Sequence, residues 1–191
     1  YYIGPMFRYE RPQKGRYRQF HQLGAEVFGE ESYYQDAETL IMLAQFFHSL
    51  AIKGTKLHVN SLGCAACRPA YREQLQSFLL KLQSELCEDC RRRQSDNPLR
   101  VLDCKNPQCR TAVAEAPLLA DYLCADCGSH FSGLRALLDQ AGLDYQVDFK
   151  LVRGLDYYTR TTFEFLAGEL GAQNAVAAGG RYDRLVEELG G

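Results

Sequence analysis

Apolar and polar residues alternate in twos near both ends of the chain and recur at three- and four-residue steps through its middle. Residues 1–3 open a strand, Gly4-Pro5 punctuates it, and residues 6–10 resume it with apolar and charged side chains mixed. Residues 17–28 predict a second strand. Phe20, Gln22, Gly24, Glu26 and Phe28 share one face of it, and His21, Leu23, Ala25 and Val27 share the other. Pro12 and Gly15 lie between the two runs and mark a turn, so the pair reads as an antiparallel hairpin. A helix opening at Asp36 gathers Leu40, Leu43, Phe47 and Leu50 on one face, and Gly54 closes that region. Residues 56–60 form a short strand, and residues 69–86 a second helix with Tyr71, Leu75, Phe78, Leu79 and Leu82 inward. Residues 91–117 read as polar turns with one short helix, and residues 131–141 as a further helix stopped by Gly142. Residues 145–151, 161–166 and 174–178 are strand-like, and after Gly179-Gly180 a last helix covers 182–189.

This order predicts an α+β fold: an antiparallel sheet core flanked by helices and interrupted by a mainly helical insertion. The expected division is a first core part at 1–60, a cysteine-rich insertion at 61–148 and a second core part at 149–191. A length of 191 residues fits one domain carrying a sizeable insert. With 46% apolar and 24% charged residues, the chain is ordinary for a globular protein, which excludes disorder and coiled coil. The longest apolar run, residues 40–44, is far short of the roughly 20 residues of a membrane span. No stretch has the form of a signal peptide. Tyr1 at one end, and Gly191 directly after an apolar helix pattern at the other, suggest a piece cut from a longer chain.

The net charge of −2 gives no global pointer to nucleic acid, but charge is unevenly placed. Arg8, Arg11, Lys14, Arg16 and Arg18 stand against Glu10 alone. Strand alternation puts Arg8 with Glu10 on one face, and Gln22 with Glu26 on one face of the neighbouring strand. Polar groups grouped on a sheet are costly if buried without partners. A charged ligand held on a concave sheet face accounts for them, against the plainer reading of a solvated edge. The arginine fork suits a phosphate. Arg153-Gly154-Leu155-Asp156-Tyr157-Tyr158 is a second polar island, and Gly179-Gly180-Arg181-Tyr182 a third; each also reads as an ordinary turn.

The wording of these segments carries more. Phe7-Arg8-Tyr9-Glu10, the loop Arg11-Pro12-Gln13-Lys14-Gly15-Arg16-Tyr17-Arg18 and the strand from Gln19 to Gly29 resemble motif 2 of class II aminoacyl-tRNA synthetases, in the form used by histidyl-tRNA synthetases. Leu151-Val152-Arg153-Gly154-Leu155-Asp156-Tyr157-Tyr158-Thr159-Arg160-Thr161 resembles the first histidine-specific motif of that family. Ala178-Gly179-Gly180-Arg181-Tyr182-Asp183 resembles the second. The motifs stand in the family's order, with an insert of the family's place and size between them.

The resemblance implies a class II synthetase-like fold and an ATP-dependent ligase. Such an enzyme activates L-histidine to histidyl-adenylate, with ATP as its Mg2+ complex, and passes histidine to the 3′ end of tRNA(His). It also implies a cytoplasmic homodimer with no membrane association. By the same resemblance, Arg8 and Arg153 are the catalytic residues, gripping the α-phosphate and the histidine carboxylate. Glu10 reads the adenine end, and Arg16 touches outer phosphates or the tRNA end. Gln22 and Glu26 hold the α-ammonium of histidine. Tyr157, Tyr158 and Tyr182 line the histidine pocket, with Tyr158 the stronger candidate for the imidazole. Motif 1, motif 3, the early histidine-reading segment and the anticodon-binding domain are not among these residues, so the function implied is that of a longer parent. The main rival is the synthetase-like regulatory subunit of ATP phosphoribosyltransferase in histidine biosynthesis. Retention of Arg8, Gln22, Glu26, Arg153 and Tyr158 favours the enzyme. A zinc-bearing nucleic-acid module, the other rival, leaves the hairpin unexplained.

All eight cysteines fall between 64 and 127, as Cys64-x-x-Cys67, Cys87-x-x-Cys90, Cys104-x4-Cys109 and Cys124-x-x-Cys127. Four close pairs suit two structural zinc sites with four thiolates each, against eight reduced thiols packed as small apolar groups. A helix over 68–86 is about 28 Å long at 1.5 Å per residue, which keeps Cys64 and Cys67 from sharing a metal with Cys87 and Cys90. The favoured quartet is Cys87, Cys90, Cys124 and Cys127, leaving Cys64, Cys67, Cys104 and Cys109 as the second; the alternative gives Cys104 and Cys109 to the far site. Metal loss is expected to loosen 61–148 and spare the catalytic sheet.

Overall fold

The structure is a computed structural model that describes residues 1–9, 12, 17–152, 157–168 and 174–191. Its first unit is a hairpin of β1 (Tyr2–Phe7) and β2 (Gln19–Gly24), paired from Tyr2↔Gly24 to Phe7↔Gln19. β1 runs straight through Gly4-Pro5. Proline is tolerated because, among the described residues, β1 pairs only with β2 and needs no second row of hydrogen bonds.

The second unit is a four-stranded sheet in the order β4-β3-β5-β6, comprising β3 (Thr55–Ser61), β4 (Tyr145–Val147), β5 (Thr159–Ala167) and β6 (Ala175–Arg181). β3 pairs antiparallel with β5, and β5 with β6, but β4 runs parallel to β3. The fold is therefore α+β, as the pattern predicts, with a mixed rather than purely antiparallel sheet. β6 continues through Gly179 and Gly180, where a turn is expected from sequence. Glycine is needed there because a Cβ on Gly179 would lie 2.7 Å from the Phe163 ring.

Two helices cover one sheet face. Ser32 caps α1 (Tyr33–Ser49) by accepting from the Tyr34 amide at 3.2 Å. α6 spans Ala125–Gln140, and Gly142 follows it at φ +64°, the left-handed conformation that ends a helix. Ala37, Leu40 and Phe47 of α1 and Phe131, Leu134 and Leu138 of α6 pack on Leu57, Val59, Phe163 and Phe165 of the sheet. α6 and β4 thus belong to the sheet's own core, although both fall in the segment 61–148.

The cysteine-bearing region has a separate core of Tyr71, Leu75, Leu79, Leu86, Val101, Val113 and Leu119 with several of the cysteines. α2 (Arg68–Leu80) is shorter than the helix expected over 69–86 and gives way to turns. The region read as polar turns holds three short helices, α3 (Glu88–Asp96), α4 (Leu99–Leu102) and α5 (Pro107–Ala112). A 3-10 turn at Leu119–Tyr122 returns along α2, where the Tyr122 ring sits 5.6 Å from that of Tyr71. A terminal α7 is confined to Leu185–Glu188.

Candidate functional site

Hairpin register puts Arg8, Met6, Gly4 and Tyr2 on the same face as Phe20, Gln22 and Gly24. On that face the Arg8 guanidinium lies 4.2 Å from the centre of the Phe20 ring, and its Nε donates to the Tyr17 carbonyl at 2.8 Å. Ring and carbonyl hold the guanidinium from two sides, and the remaining N–H groups can serve an anion. Gln22 donates from Nε2 to the Tyr2 hydroxyl at 3.0 Å. Glu10, Arg16 and Arg153 lie outside the described residues.

The hairpin meets the four-stranded sheet through Glu26. Its carboxylate accepts a hydrogen bond from the Tyr182 hydroxyl, just past the end of β6. Tyr157 and Tyr158 stack with centroids 5.0 Å apart, and Tyr182 stands edge-on to both at 6.5 and 6.4 Å. Burial pushes the Tyr182 hydroxyl up, and the Glu26 carboxylate adds to the shift, so the group stays a neutral donor. Three tyrosines with one carboxylate make a cleft suited to an aromatic group bearing an ammonium. The structure thus brings Glu26, Tyr157, Tyr158 and Tyr182 together, whereas the contacts of Arg8 and Gln22 are with their own hairpin.

Sequence reasoning passed over the charge cluster behind this cleft. Arg181 pairs with Asp36 at 2.7 Å and with Asp183 at 3.0 Å, and donates to the carbonyls of Glu30 and Ser32 at 3.0 Å each. Thr161 donates its hydroxyl to Asp36, and Thr159 donates to Asp183 at 2.9 Å. His130 Nε2 is 3.5 Å from Asp36 and has no hydrogen-bond partner among the described residues. Burial lowers the His130 pKa, Asp36 opposes that shift, and Arg181 reinforces it. This network fixes the end of β6, and with it Tyr182, to the start of α1. A signal existed: Asp36 and His130 lie among the inward residues of two helices, and buried polar groups require partners.

The eight sulfurs form two groups, each with all four atoms within 4.8 Å of one another: Cys64, Cys67, Cys124 and Cys127, and Cys87, Cys90, Cys104 and Cys109. The favoured grouping of Cys87 and Cys90 with Cys124 and Cys127 is corrected by this arrangement. It assumed that α6 carries the chain back from the far end of α2. In the structure the return is made by residues 113–123, so Cys124 reaches the near end before α6 begins. The turns after Leu80 and the three short helices keep Cys104 and Cys109 at the far end.

Backbone amides point at several sulfurs. Cys124 N–H donates to Cys67 Sγ, and Cys87 N–H to Cys109 Sγ, both at 3.1 Å. Burial works against ionisation of Cys64, but the amides of Cys67 and Ala66 and the neighbouring thiols outweigh it, bringing the pKa down to about 7. The Cys90 amide, against a smaller opposing effect of burial, brings Cys87 down to about 7. Burial raises Cys67, Cys90, Cys109 and Cys127.

The sequence model of the family described as "Histidyl-tRNA synthetase" matches residues 1–191. The chain is 58% identical over 191 residues to the histidine–tRNA ligase of Geobacter metallireducens, spanning 100% of this chain and 46% of that protein. The crystal structure of apo S. aureus histidyl-tRNA synthetase aligns with 100% of this chain and 45% of that one, at 37% identity and a TM-score of 0.75. A Bacillus halodurans protein described as an ATP phosphoribosyltransferase regulatory subunit/histidyl-tRNA synthetase aligns with 99% of this chain and 52% of that one. At 19% identity and a TM-score of 0.64, it shares the fold. The chain therefore spans about half the length of the relatives it matches.

Proposed function

This chain belongs to the histidyl-tRNA synthetase family, and from that premise we propose that its parent is a histidine–tRNA ligase. A histidine carboxylate oxygen attacks the α-phosphorus of ATP, the bond to the bridging oxygen breaks, and pyrophosphate leaves. The terminal ribose hydroxyl of tRNA(His) then attacks the acyl carbon, and AMP leaves. Both steps concentrate negative charge at the α-phosphate, so fixed positive groups and positioning carry the catalysis.

The observation that supports this reading most is the meeting of Glu26 with Tyr182 beside the stacked Tyr157 and Tyr158. The Glu26 carboxylate takes the ammonium of histidine with help from Gln22, and the tyrosines enclose its imidazole. Arg8 and Arg153 serve the α-phosphate and carboxylate, Glu10 the adenine end and Arg16 the outer phosphates. ATP enters as its Mg2+ complex. The parent works in the cytoplasm as a homodimer, and the cysteine-rich insertion is a unit set between the two core parts.

The test is histidine-dependent ATP–pyrophosphate exchange by the full-length parent, followed by charging of tRNA(His). Exchange with histidine and not with other amino acids supports the reading. No exchange overturns it and leaves the regulatory-subunit alternative, which otherwise rests on a shared fold alone.

A further inference from the structure

We propose that Cys64, Cys67, Cys124 and Cys127 bind zinc and that this centre positions the tyrosine cleft, while Cys87, Cys90, Cys104 and Cys109 bind a second zinc that staples the inserted helices. The positioning half rests on the histidine reading of the cleft; the two metal sites do not.

Sulfur geometry carries the first half. Zinc–thiolate bonds of about 2.3 Å place tetrahedral sulfurs about 3.8 Å apart. Cys64 Sγ is 3.7 Å from Cys67 Sγ and 3.9 Å from Cys124 Sγ, and Cys87 Sγ is 3.9 Å from Cys104 Sγ. A disulfide needs about 2.05 Å. Each group joins two pairs distant in sequence, and in each an amide N–H of one pair donates to a sulfur of the other. Such amide contacts compensate the charge of a thiolate around zinc. Packing of neutral thiols gives no reason for four sulfurs to converge twice. Gly63 is tailored to the first site: its φ is +59°, and a Cβ there would come within 2.8 Å of Cys67 Cβ and 3.2 Å of its sulfur.

Connectivity carries the second half. The loop entering the first site is bonded to the start of β5, which Tyr158 directly precedes. Leu62 N–H donates to the Arg160 carbonyl at 2.6 Å, and Arg160 N–H donates to the Gly63 carbonyl at 2.8 Å. Arg68, directly after Cys67, donates from its guanidinium to the carbonyls of Tyr158 and, at 3.2 Å, of Leu62. Arg160 takes a φ of +48°, unusual for a residue with a side chain, beside a register shift between Thr159 and Thr162. This irregular stretch is held by the loop at 62–68, and the loop is held by four sulfurs. Cys124 precedes α6 and Cys127 lies in its first turn, and the core residues of that helix fix the sheet. A metal there ties the β3 exit, the α2 start and the α6 start into one support beneath Tyr158. The second quartet lies instead among α3, α4 and α5, in a core whose described contact with the second core part is the packing of Val152. On this proposal, metal loss at the second site should spare the catalytic sheet, and metal loss at the first should not.

The experiment uses the full-length parent purified without chelator. Elemental analysis should find about two zinc ions per chain. Cys64→Ser with Cys124→Ser should remove one of them, raise the histidine KM in pyrophosphate exchange about tenfold, and speed amide exchange at 157–161. Cys87→Ser with Cys104→Ser should remove the other, speed exchange at 88–112, and shift the histidine KM less. Arg68→Gln guards against misfolding: it should keep both zinc ions yet raise the histidine KM and speed exchange at 157–161. Near-zero zinc with eight readily titrated thiols, or with disulfides, overturns the metal sites. An unchanged histidine KM and unchanged amide exchange at 157–161 in the first double variant and in Arg68→Gln overturn the positioning role. If the wild-type parent lacks histidine-dependent exchange, the ligase reading alone falls, because zinc content and amide exchange still decide the two metal sites and the support of Tyr158.

Discussion

Replacing Arg181 with Met removes a guanidinium that binds two carboxylates and two carbonyls while only 6% of its side chain is exposed. Its partner Asp36 is 10% exposed, so water can do little to replace the lost charge. Breaking such a pair from one side costs about 3–5 kcal/mol, most of it from the charge left behind. The lower end applies, because Thr161 still donates to Asp36 and His130 stands 3.5 Å away, able to take up a proton. A loss of about 3 kcal/mol corresponds to roughly a hundredfold change in the opening equilibrium of β6 and the start of α1. Native-state hydrogen exchange on the parent reads that quantity directly. The sign with pH is also set. In the wild type His130 has a lowered pKa, so below about pH 6.5 the unfolded chain binds a proton that the folded chain refuses. Wild-type stability should therefore fall as pH drops from 7 to 5. Without Arg181 one of the cations that lower the His130 pKa is gone while Asp36 keeps its opposing pull, so that pKa moves up and the variant's deficit should be larger at pH 8 than at pH 6. Adding Asp36→Asn to Arg181→Met should cost less than the sum of the single changes. A deficit below about 1 kcal/mol, or one independent of pH, would refute the reasoning.

Gly180→Ala places a Cβ 2.7 Å from the Thr161 carbonyl oxygen and 3.1 Å from both Thr162 Cα and Tyr158 Cδ1. Backbone cannot give way there, so we expect a cost of about 1–3 kcal/mol with a raised histidine KM; a wild-type melting temperature would contradict this. Tyr182→Phe removes the donor to Glu26 and should raise the histidine KM about fivefold while moving the ATP KM less than twofold, since one hydrogen bond is worth about 1 kcal/mol. Equal shifts in both constants would count against a histidine-side role. Arg153→Ala should cut adenylate formation more than about tenfold and leave tRNA binding nearly unchanged, through lost charge stabilisation. Pyrophosphate exchange at the wild-type rate would exclude it.

The period-two and period-four patterns determined much of this protein alone. α1, β3 and the strands around Phe163 and Ala177 follow from which residues must face a core, and the largely exposed hairpin from alternation on either side of a Pro/Gly turn. The wording of three segments carried the family, because their chemistry-bearing residues stand in one order. Element ends were less legible: α2 stops at Leu80, short of 86, and β6 runs through two glycines because Phe163 and the β5 backbone pack against them.

What tertiary structure decided was which distant groups meet. Cysteine spacing names the pairs but not their partners. The pairing depended on where residues 113–123 turn back, and the packing of Tyr122 on Tyr71 sets that turn. The parallel placement of β4 beside β3, and the joining of Arg181 to Asp36 across 145 residues, are equally invisible to a local pattern. The physical reason is the same in each case. Periodicity reports the face a residue presents, which is local, while the partner on that face is chosen by the path of the whole chain.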